Sequence, residues 1–199
     1  MTMKRTSILL LTLAIFVLGS TLFAGSNSGA AQKTGKLAKA ITFQAQAMGT
    51  GTQMGRNYSI TARIEAYSPP SDQAILLEAF AAKGNEGLVN ALEKMHSKGR
   101  LAITGTLGGD LAYIRRFDRP DGSVTIRMIT NRLLRFGEVW ADTRTTDYAL
   151  SALEVNISKD HKKKSGQLLP AAKLKTDKQG RLEIETYQNP WKLVNIQIR

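Results

Sequence analysis

Apolar and polar residues alternate along much of the chain, which is the period of a β-strand with one buried face. The first alternating run covers residues 41–47, where isoleucine, phenylalanine and alanines alternate with threonine and glutamines. A second run covers residues 58–67, and a glycine-rich stretch, residues 49–55, separates the two. This order predicts a β-hairpin with a long glycine-rich connection.

The interval from residue 68 to residue 99 has helical spacing instead. Two prolines precede Ser71, a good N-cap, and Asp72, whose charge suits the positive end of a helix. Apolar residues then recur at helical spacing on both sides of Gly84, and glycine commonly ends a helix. The pattern predicts two short antiparallel helices joined at Gly84.

Strand-like runs return after residue 99, with short turns between them. The predicted strands cover residues 100–107, 111–117, 123–130, 148–157, 171–176, 181–187 and 191–198. Residues 131–146 fit either an irregular strand or a helical turn, and residues 158–166 are expected to form an exposed loop.

The fold class follows from these connections. Strands joined by a few residues are antiparallel neighbours, and a large sheet tends to curl or to close, which removes its exposed edges. The sequence therefore predicts an α+β fold. Its sheet is antiparallel, strongly curved or closed into a barrel, and has about eight or nine strands. A two-helix insertion follows the first hairpin.

The first 24 residues have the three-part order of a secretory signal peptide. Lys4 and Arg5 supply the positive start, and an almost unbroken apolar core covers residues 8–18. Small residues follow, and cleavage is predicted after Ala24, with Ala31 as the second acceptable site. The core is about a dozen residues, shorter than the roughly 20 that span a bilayer. An uncleaved N-terminal anchor helix is the alternative.

The remaining sequence is expected to form one domain behind a short leader. Residues 25–39 are small or polar and predict a flexible leader, and residues 40–199 predict a single α+β domain. The chain has no cysteine, which excludes disulfide scaffolds, redox roles and thiolate metal sites. An exported chain without cysteine is typical of a bacterial periplasmic or secreted protein, and no membrane span is predicted after cleavage.

No pattern marks a catalytic, metal or cofactor site. No serine lies in a G-x-S-x-G turn, and His96 and His161 are the only histidines. Zinc requires clustered ligands, and that spacing is absent. A carboxylate pair carries no sequence signature, so a hydrolase that uses an unmarked pair stays an alternative. Its candidate acids are Glu65, Glu138, Asp142, Asp147 and Glu154.

The net charge of +12 is the unusual feature of the composition. Lysines concentrate between residues 159 and 178, in what we interpret as a solvated region, and arginines concentrate between residues 115 and 135 beside aromatic residues. Arginines on neighbouring strands share a face, and basic with aromatic side chains are typical of surfaces that bind polyanions. The predicted binding residues are Arg115, Arg116, Arg127, Arg132, Arg135, Tyr113 and Trp140.

An exported protein rarely meets nucleic acid, so the expected partner is an anionic lipid or a cell-envelope polymer. The sequence thus predicts an exported soluble binding protein, of unknown ligand, that uses the arginine-rich face. A barrel that carries an apolar small ligand in its interior is an alternative, as is the unmarked hydrolase. The plainest interpretation of the charge is that it maintains solubility.

Overall fold

The computed structural model describes residues 35–134, 148–176, 182–186 and 189–199. The predicted signal peptide, residues 1–24, lies outside them. The described strands are β1 Gly35–Met48, β2 Asn57–Tyr67, β3 Gly99–Ile103, β4 Gly109–Asp118, β5 Val124–Thr130, β6 Leu150–Ile157, β7 Lys164–Thr176, β8 Leu182–Thr186 and β9 Trp191–Ile198. One helix, α1, covers Pro70–Lys94, and a turn of 3₁₀ helix covers Gly51–Gln53.

Eight of the strands close into an antiparallel barrel. The pairings run from β1 through β2, β3, β4, β5, β6 and β7 to β9, and β9 pairs back with β1. The ninth strand, β8, extends the sheet from the second half of β7. The predicted antiparallel, curved sheet is confirmed, and it is closed. The hairpin predicted over residues 41–47 and 58–67 is present as β1 and β2.

Every second residue of the barrel strands points into the interior. Ala45 stands opposite Ile60, and Ile60 stands opposite Ile103 on the next strand. These side chains belong to one buried cluster, which also contains Met128 and Trp191. The alternation in the sequence therefore reflects an apolar interior and, away from α1, a more polar outer wall.

Helix α1 packs on the outer wall of the barrel. Leu76, Leu88 and Leu92 are fully buried in a second cluster that includes Tyr113 of β4 and Leu169 of β7. Burial of a side chain of this size stabilises the fold by about 1.5–3 kcal/mol, so this stripe anchors the helix to the wall.

One helix is present where the sequence predicted two. Lys83 and Gly84 leave helical geometry, and the φ of Gly84 is +58°, so the kink lies at the predicted boundary. A Cβ on Gly87 would lie only 2.1 Å from the carbonyl oxygen of Ala79, which shows that the turns before and after the kink are in contact. The predicted pair of separate antiparallel helices is not confirmed, since the two helical segments are joined through the kink at Lys83 and Gly84 within α1.

Two β-bulges change which side chains face the interior. The N–H groups of Glu65 and Ala66 both donate to the carbonyl of Lys98, at 2.8 and 3.1 Å, and the β4–β5 register shifts between Leu111 and Tyr113. A bulge adds one residue and so reverses the alternation beyond it. As a result Tyr67 joins the interior cluster, whereas Tyr113 lies outside beneath α1.

The loops gather at the two ends of the barrel. We call the end where β1 begins the proximal end; it carries the β4–β5 turn, residues 119–123, and the β6–β7 turn, residues 158–163. We call the other end the distal end; it carries the β1–β2 loop, residues 49–56, and the β3–β4 turn, residues 104–108. None of the helical residues described forms a stretch long and apolar enough to cross a bilayer.

Candidate functional site: a basic face on the outer wall

The outer wall of β4 to β7 changes from apolar to polar over two residues of each strand. Tyr113, Ile129, Ala152 and Leu169 stand side by side on neighbouring strands, in the cluster beneath α1. The next row toward the proximal end is polar and only half-buried or exposed. It consists of Arg115, Arg127, Glu154, Gln167 and Lys192.

Phe117 lies close to two guanidinium groups on this wall. The Cζ of Arg115 is 5.1 Å from the centre of the Phe117 ring, and that of Arg127 is 5.7 Å from it. Both distances are within the roughly 6 Å at which a cation and an aromatic ring attract each other. Arg115 and Arg127 stand directly opposite each other on β4 and β5, so one ring contacts both of them on the outer surface.

Both guanidiniums also have polar partners. Arg115 donates to Oε1 of Gln73 in the first turn of α1. Nε and Nη2 of Arg127 donate to Oε2 of Glu154, at 3.0 and 2.9 Å. A guanidinium has five N–H donors, so the pair with Glu154 leaves three donors of Arg127 for another acceptor.

The two proximal turns extend the positive surface. Arg119, Lys159, Lys162 and Lys163 are exposed in them. The stem of Lys159 lies across Gly122, since a Cβ on that glycine would be 2.9 Å from the Cγ of Lys159. The turns are therefore in direct contact with each other.

The carboxylates of these turns accept hydrogen bonds within their own turns. Asp121 accepts hydrogen bonds from the N–H and hydroxyl of Ser123, and Asp160 accepts from the hydroxyl of Ser158 and the N–H of Lys162. These hydrogen bonds, above all those from the serine hydroxyls, lower the pKa of both carboxyl groups. Both acids are thus ionised and engaged in the turns.

We call the resulting surface the basic face. It consists of Arg115, Arg119, Arg127, Lys159, Lys162 and Lys163, with Phe117 at its centre. Glu154, Asp121 and Asp160 are its nearby acids, and each accepts hydrogen bonds from the protein. Six cations against three engaged carboxylates leave a net positive surface that attracts multivalent anions.

The predicted binding residues are only partly brought together. Arg115 and Arg127 share the basic face, and Tyr113 lies next to Arg115 beneath α1. Burial raises the pKa of Tyr113, and the charge and hydrogen bonding of Arg115 partly offset that rise. Tyr113 is only 5% exposed, so it is buried beside Arg115 and is not available to contact a ligand.

Arg116 faces the opposite side of β4. It stands across from Ile126 of the interior cluster, and its Nε and Nη2 donate to Oδ1 of Asp118 at 2.9 and 2.6 Å. The hydrogen bond to Asp118 raises the pKa of Arg116. Because consecutive residues of a strand face opposite sides, Arg115 and Arg116 do not share a surface.

The other predicted residues lie elsewhere. Arg132 is at the distal end, where its Nη2 donates to the carbonyl of Gly108 at 2.9 Å. Arg135 and Trp140 lie outside the described residues. Arg119 and the lysines of residues 159–163 are not among the predicted binding residues, and the turns between the paired strands place them beside Arg115 and Arg127.

The candidate acids of a hydrolase are dispersed as far as they are described. Glu65 pairs with Arg63 at 3.0 Å, and Glu154 pairs with Arg127. Glu138, Asp142 and Asp147 lie outside the described residues. In the ranges that the structure describes, no three histidine or acidic side chains gather as a metal site.

Comparison with known proteins yields no relative: no family model, no curated protein and no solved structure matches this chain.

Proposed function

We propose that the protein is exported and binds an anionic ligand of the cell envelope on the basic face. The ligand carries repeated phosphate, sulfate or carboxylate groups, as an anionic surface polymer or a layer of anionic lipid headgroups does. The observation that carries the proposal is the pairing of Arg115 with Arg127 on neighbouring strands, with both guanidiniums close to the ring of Phe117. Four further cations follow in the adjoining turns.

The chemistry of the face suits such a ligand. Guanidinium groups bind phosphate and carboxylate through paired N–H donors in a plane, and lysine adds strong point charges. The contacts to Phe117, Gln73 and Glu154 position the two arginines before any ligand arrives. Pre-positioned groups lose less conformational entropy on binding.

The filled interior of the barrel favours a ligand bound on the outer surface over an apolar ligand carried inside. Buried side chains from all eight barrel strands fill it, including Phe43, Ile64 and Trp191. An apolar ligand inside would have to displace them, whereas the basic face is accessible without rearrangement.

Elution from a heparin column under a salt gradient tests the face. Arg115→Gln with Arg127→Gln should elute at clearly lower salt than the unchanged protein, because each lost contact to the polyanion removes one counterion-release term. Arg63→Gln with Lys94→Gln is the matched control, since it removes the same charge from exposed positions on β2 and α1. Equal shifts for both double variants would show that only net charge matters and contradict the proposal.

Competition distinguishes the two sources of the anionic groups. Soluble polyphosphate that displaces the protein from heparin, where phosphatidylglycerol vesicles fail to do so, assigns the ligand to a polymer. The reverse result assigns it to lipid headgroups. Displacement by neither probe would contradict anion binding at this face.

The export part has its own test. N-terminal sequencing of the protein from the periplasmic or secreted fraction should begin at Gly25 or at Gln32, according to the cleavage site used. A chain that begins at Met1 in the cytoplasmic fraction would contradict export and leave the basic face without an envelope ligand.

A further inference from the structure

Apolar side chains are exposed at the tips of the distal loops. Met54 is 80% exposed, Leu107 is 85% exposed and Met48 is 46% exposed. Among the described residues only one other large apolar side chain, Ile75 on α1 at 50%, is comparably exposed. Single exposed apolar residues are ordinary, but a group of them at one end of a molecule marks a contact surface. We call Met48, Met54 and Leu107 the distal tips.

The two loops that carry the distal tips are neighbours. The N–H of Thr104 donates to the carbonyl of Ser59 at 2.9 Å, which ties the start of the β3–β4 turn to the start of β2. Leu107 also forms one wall of an open groove of about 550 Å³, together with Leu133 and Leu134. The groove therefore adjoins Leu107 at the distal end.

The backbone of these loops is hydrogen-bonded within the protein. Nη2 of Arg100 donates to the carbonyl of Leu107, and Nη2 of Arg132 donates to that of Gly108. In the β1–β2 loop the N–H of Met54 donates to the carbonyl of Gly51 at 3.2 Å. Backbone groups with internal partners tolerate an environment poor in water, which is a requirement at a lipid surface.

Positive charge surrounds the distal tips. Arg56, Arg100 and Arg132 are exposed on the same loops or beside them. Of the described acids, Asp110 lies closest in sequence to these turns, and Arg100 already pairs with it at 3.5 Å. Arg100 and Arg132 each use one nitrogen on a turn carbonyl, so further N–H donors of both remain for phosphate groups.

Apolar tips ringed by arginine fit a bilayer better than a protein partner. A stable protein interface buries roughly 20–30 residues on each side, whereas three apolar side chains on loop tips are suited to shallow insertion. The arginines complement the negative surface potential of anionic lipid. Long basic side chains also place their charge at headgroup level while their stems contact the apolar layer.

We propose that the distal end docks on an anionic lipid surface, with Met54 and Leu107 inserted among the headgroups and Arg56, Arg100 and Arg132 at the level of the phosphates. This inference goes beyond the basic face and does not rest on it. The loss of heparin retention in Arg115→Gln with Arg127→Gln, relative to its control, reports on the basic face, and insertion of the tips reports on the distal end, so either proposal can fail while the other stands.

The absence of cysteine from the chain permits a site-specific test. Met54→Cys and Leu107→Cys are each labelled with a fluorophore whose emission rises in apolar surroundings, and Ile75→Cys is the matched control. Vesicles of phosphatidylcholine with phosphatidylglycerol should raise the emission severalfold at positions 54 and 107 and leave position 75 unchanged. Binding of the vesicles by the predicted leader would not reproduce this difference between positions.

Three results would overturn the proposal. The first is the same response at position 75 as at positions 54 and 107, or no response at any of them. The second is an equal response on vesicles of phosphatidylcholine alone, which would remove the role of the arginines. The third is a rise in emission at position 107 with protein concentration in the absence of lipid, which would assign the distal tips to contact between copies of the chain.

Discussion

Arg127 on β5 stands directly opposite Glu154 on β6, and two nitrogens of its guanidinium donate to a single carboxylate oxygen. The side chains are 30% and 16% exposed, and an ion pair at a protein surface contributes about 0–1 kcal/mol to the free energy of unfolding. Its larger effect is on the basic face, where Glu154 cancels the charge of one of the six cations. Glu154 thus limits the affinity of the face for anions.

Replacement of Glu154 by glutamine should therefore strengthen anion binding. Glu154→Gln is expected to elute from heparin at higher salt than the unchanged protein, with a loss of about 1 kcal/mol or less in the free energy of unfolding. Glu185→Gln is the control, because Glu185 pairs with Lys173 away from the basic face, at 3.6 Å, and the change in net charge is the same. An increase no larger than that of the control would contradict the role of Glu154.

The hydroxyl of Ser151 hydrogen-bonds to the backbone on both sides of β6, and its removal tests how much these bonds stabilise the fold. Its Oγ accepts a hydrogen bond from the N–H of Leu134 at 2.8 Å and donates one to the carbonyl of Pro170 at 2.6 Å. Ser151→Ala leaves both buried backbone groups without this partner, and each loss costs about 1–3 kcal/mol. Urea unfolding should show a decrease of about 2–6 kcal/mol, against no measurable change for Ser59→Ala at an exposed position of β2. A decrease below 1 kcal/mol (roughly the value of one ordinary hydrogen bond) would argue against this network.

Alanine substitutions at Gly99 and Gly55 distinguish the cost of a steric clash from the cost of backbone strain. A Cβ on Gly99 would lie 2.0 Å from the carbonyl oxygen of Arg63 on the paired strand β2, so Gly99→Ala must push the strands apart. We expect a loss of about 3 kcal/mol in the free energy of unfolding. Gly55 has a φ of +89° and no atom near its Cβ position, so Gly55→Ala should cost only the backbone strain, about 1–2 kcal/mol. Thermal unfolding of both variants measures the difference, and equal losses would rule out the contact with Arg63.

Tyr67 and Tyr113 should make the protein sensitive to alkaline pH. Burial raises the pKa of both hydroxyls above the ordinary value of 10.0, so the folded state holds its protons where the unfolded state has lost them. The stabilising contribution is complete below pH 10 and is lost as the pH rises from about 10 through the raised pKa values. Urea unfolding at increasing pH should show this decline, and Tyr67→Phe with Tyr113→Phe should reduce it. The same decline in the double variant would assign it to other groups.

The alternation in the sequence was enough to predict most of the strands and their antiparallel order. The positions of the side chains on the wall were harder to predict, because the bulges at Glu65–Ala66 and Leu111–Tyr113 each reverse the alternation. A bulge depends on hydrogen bonds to another strand, such as the two that reach the carbonyl of Lys98, and has no local signature. Strict alternation would still have separated Arg115 from Arg116 within β4.

The residues between β6 and β7 show the same limit. The lysine run predicted an exposed loop over residues 158–166, yet the strand already begins at Lys164, and the turn itself is only residues 158–163. The turn is closed by Asp160 and Ser158, whose side chains accept hydrogen bonds from the N–H groups of Lys162 and Lys163. Pairing of Lys164 with Ile157 then continues the sheet. The lysine run therefore predicted a loop where the start of β7 pairs with β6.

The seam of the barrel joins the first described strand to the last. Most neighbouring strands are also neighbours in sequence, but β1 completes its pairing only when β9 arrives, and Gln44 stands opposite Gln197. A chain that emerges from a ribosome or a translocation pore in sequence order must therefore keep one side of β1 unpaired until β9 has emerged. Pairing of segments so distant in sequence slows folding, because the entropy of loop closure is lost before the contacts form. Until β9 pairs, the unpaired edge of β1 is open to aggregation and to chaperone binding.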